Sequence, residues 1–169
     1  MKSLSDLLSR IEGVYDGLRT GESVRSVVVN HEADIIELQQ IQLLEGKASN
    51  GEDLRPYYSE DLKPQGWFHS PETAANYAAW KEGLSYPFSV ERNPDAPNLY
   101  INGKFHSELA VRFDHDTCSI EGETGYAQGI VAKYGFRNFG LMLMNWVVIF
   151  RERGAYEELL NEIKSTLYD

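Results

Sequence analysis

From Phe105 to Phe113 the sequence alternates, with Phe105, Leu109, Val111 and Phe113 on one side and His106, Glu108 and Arg112 on the other. This is the period of a β-strand with one buried and one wet face. DHDT at 114–117 is turn chemistry, because aspartate side chains bond their own backbone, and CSIEGE then reads as a short returning strand. Beyond Gly122 and Gly125, Tyr126, Ile130, Val131 and Tyr134 fall at helical spacing, and Gly135 is placed to cap the helix. The expected fold class is α+β: a small antiparallel β-sheet, with its central hairpin at about 106–121, packed by several helices and joined by long loops.

The flanking segments supply those helices. Leu4, Leu7, Leu8, Ile11 and Val14/Tyr15 recur at three- and four-residue steps, which predicts an amphipathic helix begun by Ser3 or Ser5 and ended near Gly21. The stretch after it has two readings. Val24, Val28, Ile35 and Leu38 share a helical face, whereas the β-branched density of VVVN and the run IIELQQIQLL favour extended chain. The division adopted is a helix near Ser23 to His31 and a strand near Asp34 to Leu44. Asn50-Gly51 supplies the positive backbone angles of a tight reversal, so QLLEGKASNGEDL reads as a β-hairpin with a loop at its tip.

A long loop follows, part of an extended segment at about 46–70, and it carries Tyr57, Tyr58, Trp67 and Phe68. Clustered loop aromatics either form a partner surface or tuck beneath the loop. Ser70-Pro71-Glu72-Thr73 is a helix start, with serine as cap, proline in the first turn and an acid at the positive helix end. That helix runs to about Gly83, and Pro87, Pro94 and Pro97 make the next connection extended and kinked. Leu141 to Arg153 and Ala155 to Tyr168 read as two helices hinged at Gly154. In the second, Leu159, Leu160, Ile163 and Leu167 make a narrow apolar stripe suited to docking.

Charge and composition bound the function. The chain has 169 residues, the size of a single domain spanning 1–169, and its net charge of −10 argues against nonspecific attraction to nucleic acid or an anionic membrane. The most apolar run, LMLMNWVVIF, is roughly half the length of a spanning helix, and MKSLSDLLSRIEG is too polar for a signal peptide. Cys118 has no partner for an internal disulfide, so a reducing cytoplasm is the expected setting, and its predicted strand position reads as a half-buried structural cysteine.

His31-Glu32 with Asp34, and Asp114-His115-Asp116, are the places where histidine sits beside carboxylates; neither has metal-site spacing, and both read as solvated polar residues. Glu121 and Glu123 are a carboxylate pair of the kind an acidic chain contains by chance. The glycines at 122, 125 and 129 fit neither a phosphate loop nor a dinucleotide turn. The expectation is a protein that is not an enzyme, with no catalytic residues, metal or cofactor.

Three pieces occur together: QLLEGKASNGEDLRPYYSEDLK at 42–63, NLYINGKFHSELAVRF at 98–113, and AQGIVAKYGFRNFGL at 127–141. In this order the chain resembles a family of small bacteriophage virion proteins, the head-tail connector and tail-completion proteins of the neck, especially from phages of Bacteroides-type bacteria. The matching positions are Gln42-Leu43 in a strand leading to a glycine turn, Tyr58-Ser59, Lys63, Gly103, Phe105, Tyr134-Gly135 and Phe139-Gly140-Leu141. Asn102 and Lys104 depart from the pattern, and the insertion carrying Trp67 and Trp80 is longer than the pattern has.

The resemblance implies a structural virion protein, assembled in the host bacterial cytoplasm, whose copies form a homo-oligomeric ring at the portal-tail junction. Such a ring seals the head, docks the tail, contacts portal and tail or other neck proteins, and lets DNA pass without specific binding; no membrane is involved. The candidate interface is Tyr57, Tyr58, Trp67 and Phe68 in the loop, with Leu159, Ile163 and Leu167 on the C-terminal helix; the N-terminal helix is a further partner-contacting element. The alternatives from other classes are a bacterial protein-interaction module using the aromatic loop 57–68, and a small hydrolase using Cys118 or Asp116.

Overall fold

The computed structural model describes residues 4–114, 117–122, 125–135 and 140–168. The DHDT reversal at His115-Asp116, Glu123 of the carboxylate pair, and Phe139 of the closing motif lie outside the described residues.

The chain opens with three consecutive helices, α1 (Leu4–Thr20), α2 (Glu22–Asn30) and α3 (Glu32–Leu44). Gly21, with φ +75°, takes the left-handed conformation that ends α1 and redirects the chain into α2. His31 separates α2 from α3. The strand expected near Asp34 to Leu44 is therefore a helix, and so is the Gln42-Leu43 strand that the resemblance implied. α3 is enclosed by neighbours: Ile35, Leu38, Leu43 and Leu44 are buried, and so are Gln39 and Gln42. A helix covered on most sides carries no clean amphipathic period, and its apolar residues then imitate a strand.

The glutamines of α3 hold backbone far away in the chain. Gln42 Nε2 donates to the Gly140 carbonyl at 2.9 Å, while its Oε1 accepts from the Met142 backbone N–H at 2.8 Å and from Asn145 Nδ2 at 3.1 Å. Gln39 Oε1 accepts from the Gly140 N–H at 3.3 Å, and Gln40 Nε2 donates to the His106 carbonyl at 2.8 Å.

After α3 the expected hairpin is reduced to one antiparallel bridge between Lys47 and Asp53 around the Asn50-Gly51 turn. Strands cannot extend from it, because α3 ends immediately before and Pro56, which lacks an N–H, follows immediately after. α4 (Pro71–Glu82) begins as the sequence predicts: Ser70 Oγ accepts from the Thr73 N–H, and Thr73 Oγ1 accepts from the Ser70 N–H, a reciprocal cap with threonine in the usual glutamate position.

A short helical turn, α5 (Lys104–Ser107), precedes the hairpin of β1 (Leu109–Asp114) and β2 (Thr117–Gly122). The alternation beginning at Phe105 is thus strand only from Leu109. Phe105 and His106 are both buried, which a strand with one wet face does not permit. The antiparallel register pairs Leu109 with Gly122, Val111 with Ile120 and Phe113 with Cys118. α6 (Gly125–Tyr134) ends at Gly135, whose φ of +81° fits the expected cap.

α7 (Leu143–Arg151) and α8 (Ala155–Tyr168) turn at Gly154, φ +89°. One apolar cluster joins Val27, Ile35, Leu43, Phe105, Val111 and Ile149 with residues of α6 and α8. The observed architecture is α+β, a small antiparallel hairpin among helices, as expected. Among the described residues no helix is long and apolar enough to cross a membrane.

Candidate functional site

The loop between α3 and α4 is built from two closed turns. In the first, Glu52 N–H donates to Asn50 Oδ1 at 3.1 Å, and Lys47 Nζ meets Asp53 Oδ1 at 2.5 Å. Asp53 also accepts from the Tyr57 hydroxyl at 2.8 Å, and with Lys47 first, then Tyr57 and Asn93, its carboxyl is held down to about 2. The Arg55 guanidinium lies over the Tyr57 ring, 3.5 Å from its centre. Tyr57 is thus fixed on both ring face and hydroxyl.

The second turn runs from Asp61 to Phe68. Phe68 N–H donates to the Asp61 carbonyl at 3.0 Å, Lys63 N–H to the Phe68 carbonyl at 2.8 Å, and Gly66 N–H to the Leu62 carbonyl at 2.9 Å. A Cβ on Gly66 would fall far inside van der Waals contact with the Asp61 backbone. Gly66→Ala is therefore expected to open this turn and cost about 3 kcal/mol. The check is urea unfolding with tryptophan fluorescence; an alanine variant with unchanged stability would show that the turn is not closed this way.

These turns aim the aromatic residues differently. Tyr58 is buried and meets Phe68 and Tyr77 edge-on, with ring centres at 6.0 and 5.1 Å, and its burial pushes the phenol pKa up. Phe68 and Tyr77 are half-buried, 5.3 Å apart, and Tyr77 continues to Trp80 at 5.4 Å. Trp67, next to the closing residue of the turn, is 74% exposed, and Trp80 is 49% exposed. Lys133 of α6 lies 4.4 Å from the centre of the Trp67 ring and forms an ion pair with buried Asp61. The result is an aromatic platform in two parts: an open Trp80 indole beside half-covered Tyr77 and Phe68 with Tyr58 as their floor, and an open Trp67 indole held by Lys133.

Of the loop residues expected at an interface, Trp67 and Phe68 belong to this platform's surface, Tyr58 to its support, and Tyr57 to the neighbouring Asp53 turn. Sequence reasoning missed Tyr77, Trp80 and Lys133 as its other members. The three-residue step from Tyr77 to Trp80 on one helix face was the available signal for two of them; Lys133 had none, because its nearness to Trp67 is purely tertiary.

Leu159, Ile163 and Leu167 are elsewhere. They are half-buried on α8, which packs against α1, α2 and α7 of its own chain. Arg10 Nη1 of α1 donates to the Leu167 carbonyl at 3.4 Å. The stripe docks, and its dock lies within the molecule.

The same corner corrects the solvated reading of His31 and Asp34. His31 is buried, with Nδ1 2.9 Å from Asp34 Oδ2 and Nε2 3.3 Å from Glu158 Oε2. Arg153 closes the network onto Asp34 at 3.0 Å and Glu37 at 3.4 Å. These contacts tie the α2–α3 junction to α8 and the turn before it. Among the described residues no group of three or more histidine, cysteine and acidic side chains could hold a metal ion.

Cys118 is exposed, because its register opposite Phe113 puts it at the turn end of the hairpin, beyond the core. Partial desolvation and nearby Glu32 push its thiol up, away from the nucleophilic thiolate.

A second buried polar group lies under α4. Lys81 is 1% exposed and donates to the Tyr100 carbonyl; desolvation first, then Arg92, brings its ammonium down to about 7. His106 Nε2 is 3.1 Å from the Asn98 carbonyl, and burial brings that imidazole down to about 4. No protein-family model, curated protein or solved structure matches the chain.

Proposed function

We propose that this chain is a structural assembly subunit, acting through protein–protein contacts in a ring at the portal-tail junction of a bacteriophage. The observation that carries the reading is the aromatic platform. Trp67 and Trp80 are open to solvent, yet Lys133 holds the first and the Tyr77 ring the second. Preorganised aromatic side chains of this kind serve as interface anchors, since little conformational freedom remains to be lost on binding. The net charge of −10 suits a wall along which DNA moves without being trapped.

Electron microscopy and light scattering on the protein, alone and mixed with portal and neck proteins of its phage, test this. Rings or ring-on-ring complexes are expected, and the double substitution Trp67→Ser, Trp80→Ser is expected to weaken them at least tenfold while the circular dichroism spectrum is retained. A protein that ignores those partners would overturn the neck assignment. The same platform then supports the second reading, a protein-interaction module centred on loop 57–68, whose partner would be lost with the same two substitutions.

A further inference from the structure

Among the described residues the sheet is the hairpin of β1 and β2 alone. In an antiparallel pair each strand spends only alternate residues on its partner, so the N–H and C=O groups of the others point outward along a free edge. Beyond the outer edge of β2, between that strand and α6, lies a groove of about 600 Å³. Its strand wall is Ser119, Ile120, Glu121 and Gly122, four residues in succession. Ile120 and Gly122 belong to the buried face of the hairpin, Ser119 and Glu121 to the exposed one. A wall that draws on both faces of a strand is the strand's edge, so the groove opens onto backbone. The opposite wall is Ala127, Gln128, Val131 and Ala132, which steps of four residues place along one flank of α6.

We infer that this groove takes an extended segment of another protein, which adds a third strand to β2 and alternates apolar side chains with lysine or arginine. The strand edge fixes the guest's backbone, because only extended chain matches a row of N–H and C=O groups at strand spacing. α6 fixes one set of its side chains. The helix stands on the same side of the hairpin as Ile120, since a Cβ on Gly122 would touch Ala127 at 3.2 Å. Every second residue of the guest therefore turns toward Ala127 and Val131, which are apolar and short.

Glu121 fixes the other set. It is exposed, accepts a hydrogen bond from Ser119 Oγ at 3.1 Å, and carries the one charge among the described residues that line the groove. Arg112, paired with Ser119, lies on β1 and so across β2 from the groove. A second copy of this chain is a poorer guest, because Thr117–Gly122 brings another glutamate and no cation to the same edge. Four strand residues span ~13 Å, so about four residues of the guest are engaged. A contact that short makes a weak, reversible complex.

This surface is separate from the aromatic platform, and strand addition does not rest on the neck assignment. Nuclear magnetic resonance of the isotope-labelled full chain, titrated to about 1 mM with the peptide acetyl-Val-Lys-Val-Lys-Val-amide, tests it. Saturable shifts are expected at the backbone amides of 118–122 and 127–132, and Trp67→Ser, Trp80→Ser leaves them unchanged. N-methylation of one alternate set of peptide amides is expected to weaken binding at least tenfold, and methylation of the other set to leave it unchanged, because a strand bonds its neighbour through every second residue. Replacing the peptide's lysines by glutamate is expected to weaken binding at least tenfold, and Glu121→Lys to abolish that preference. No saturable shift, equal binding by the two methylated peptides, or a lysine preference that survives Glu121→Lys would each overturn the proposal.

Discussion

Replacing Gln42 with leucine is expected to cost about 3 kcal/mol, although the two side chains are close in size and the site is fully buried. The loss comes from the groups left behind. Gly140 would lose the donor to its carbonyl, and Met142 the acceptor for its N–H, and neither residue lies in a helix or strand. Leaving a buried polar group unpaired costs roughly 1–3 kcal/mol, far more than the net gain from making one hydrogen bond. Gln42→Glu separates the two halves of the clamp: it keeps an acceptor for Met142 and Asn145 but removes the donor to Gly140. Urea unfolding of both variants checks this, and a leucine variant within about 0.5 kcal/mol of the parent would show that solvent already satisfies those groups.

The second large effect is on pH. Lys81 falls from 10.5 in the unfolded chain to about 7 in the folded one, so between those values the unfolded state holds more protons. Stability therefore rises with pH across that interval. At about 1.4 kcal/mol per tenfold change in proton affinity, the rise is on the order of 4–5 kcal/mol. His106, lowered from 6.5 to about 4, adds a rise of the same sign across its own lower interval.

Tyr58 and Tyr134 act in the opposite sense. Their phenol pKa values are raised by burial, so the folded state keeps protons that the unfolded state loses above about pH 10, and stability falls there. A maximum between neutrality and about pH 10 is expected. Lys81→Met should flatten the rise above neutrality and keep most of the one below pH 6.5, since burial is the main cause of the His106 shift and the Lys81 charge a smaller one. The groups around the ammonium are the Tyr100 carbonyl, Arg92 and His106, none of them an anion. Denaturant titrations at pH 5, 7 and 9 measure both intervals, and equal stability at 7 and 9 would contradict the buried ammonium.

Where an element has one wet face, its residues announced it. The Ser70 cap, the α1 period, the strand alternation around Val111 and the Gly154 turn were all readable, since water on one side imposes a period on sequence. α3 was misread because neighbours surround it, and its glutamines bond backbone far away in the chain, which no local pattern records. α5 was misread because Phe105 and His106 face the interior together, which only a helical turn allows.

Half of the candidate site was visible in the same way. Trp67 and Phe68 stood out as loop aromatics, but the contribution of Lys133 depends on a contact across more than sixty positions of chain. Nothing local in the sequence encodes such a contact. The α8 stripe shows the converse limit: amphipathicity at Leu159 and Ile163 shows that a helix will be covered, without naming the cover.

The seat of α8 has a consequence for synthesis. α1 and α2 pack against a helix made from residues 155–168, and His31 is joined to Glu158. Contacts so distant along the chain close late. While a ribosome is still making the middle of the chain, the side of α1 that α8 will cover is bare, in addition to Leu8, Ile11, Tyr15 and Leu18, which the fold leaves exposed. Neighbouring ribosomes on one message hold such helices close together and at high local concentration. The hazard of nascent chains sticking to one another is therefore concentrated in α1 and α2, and it lessens when α8 folds back over them.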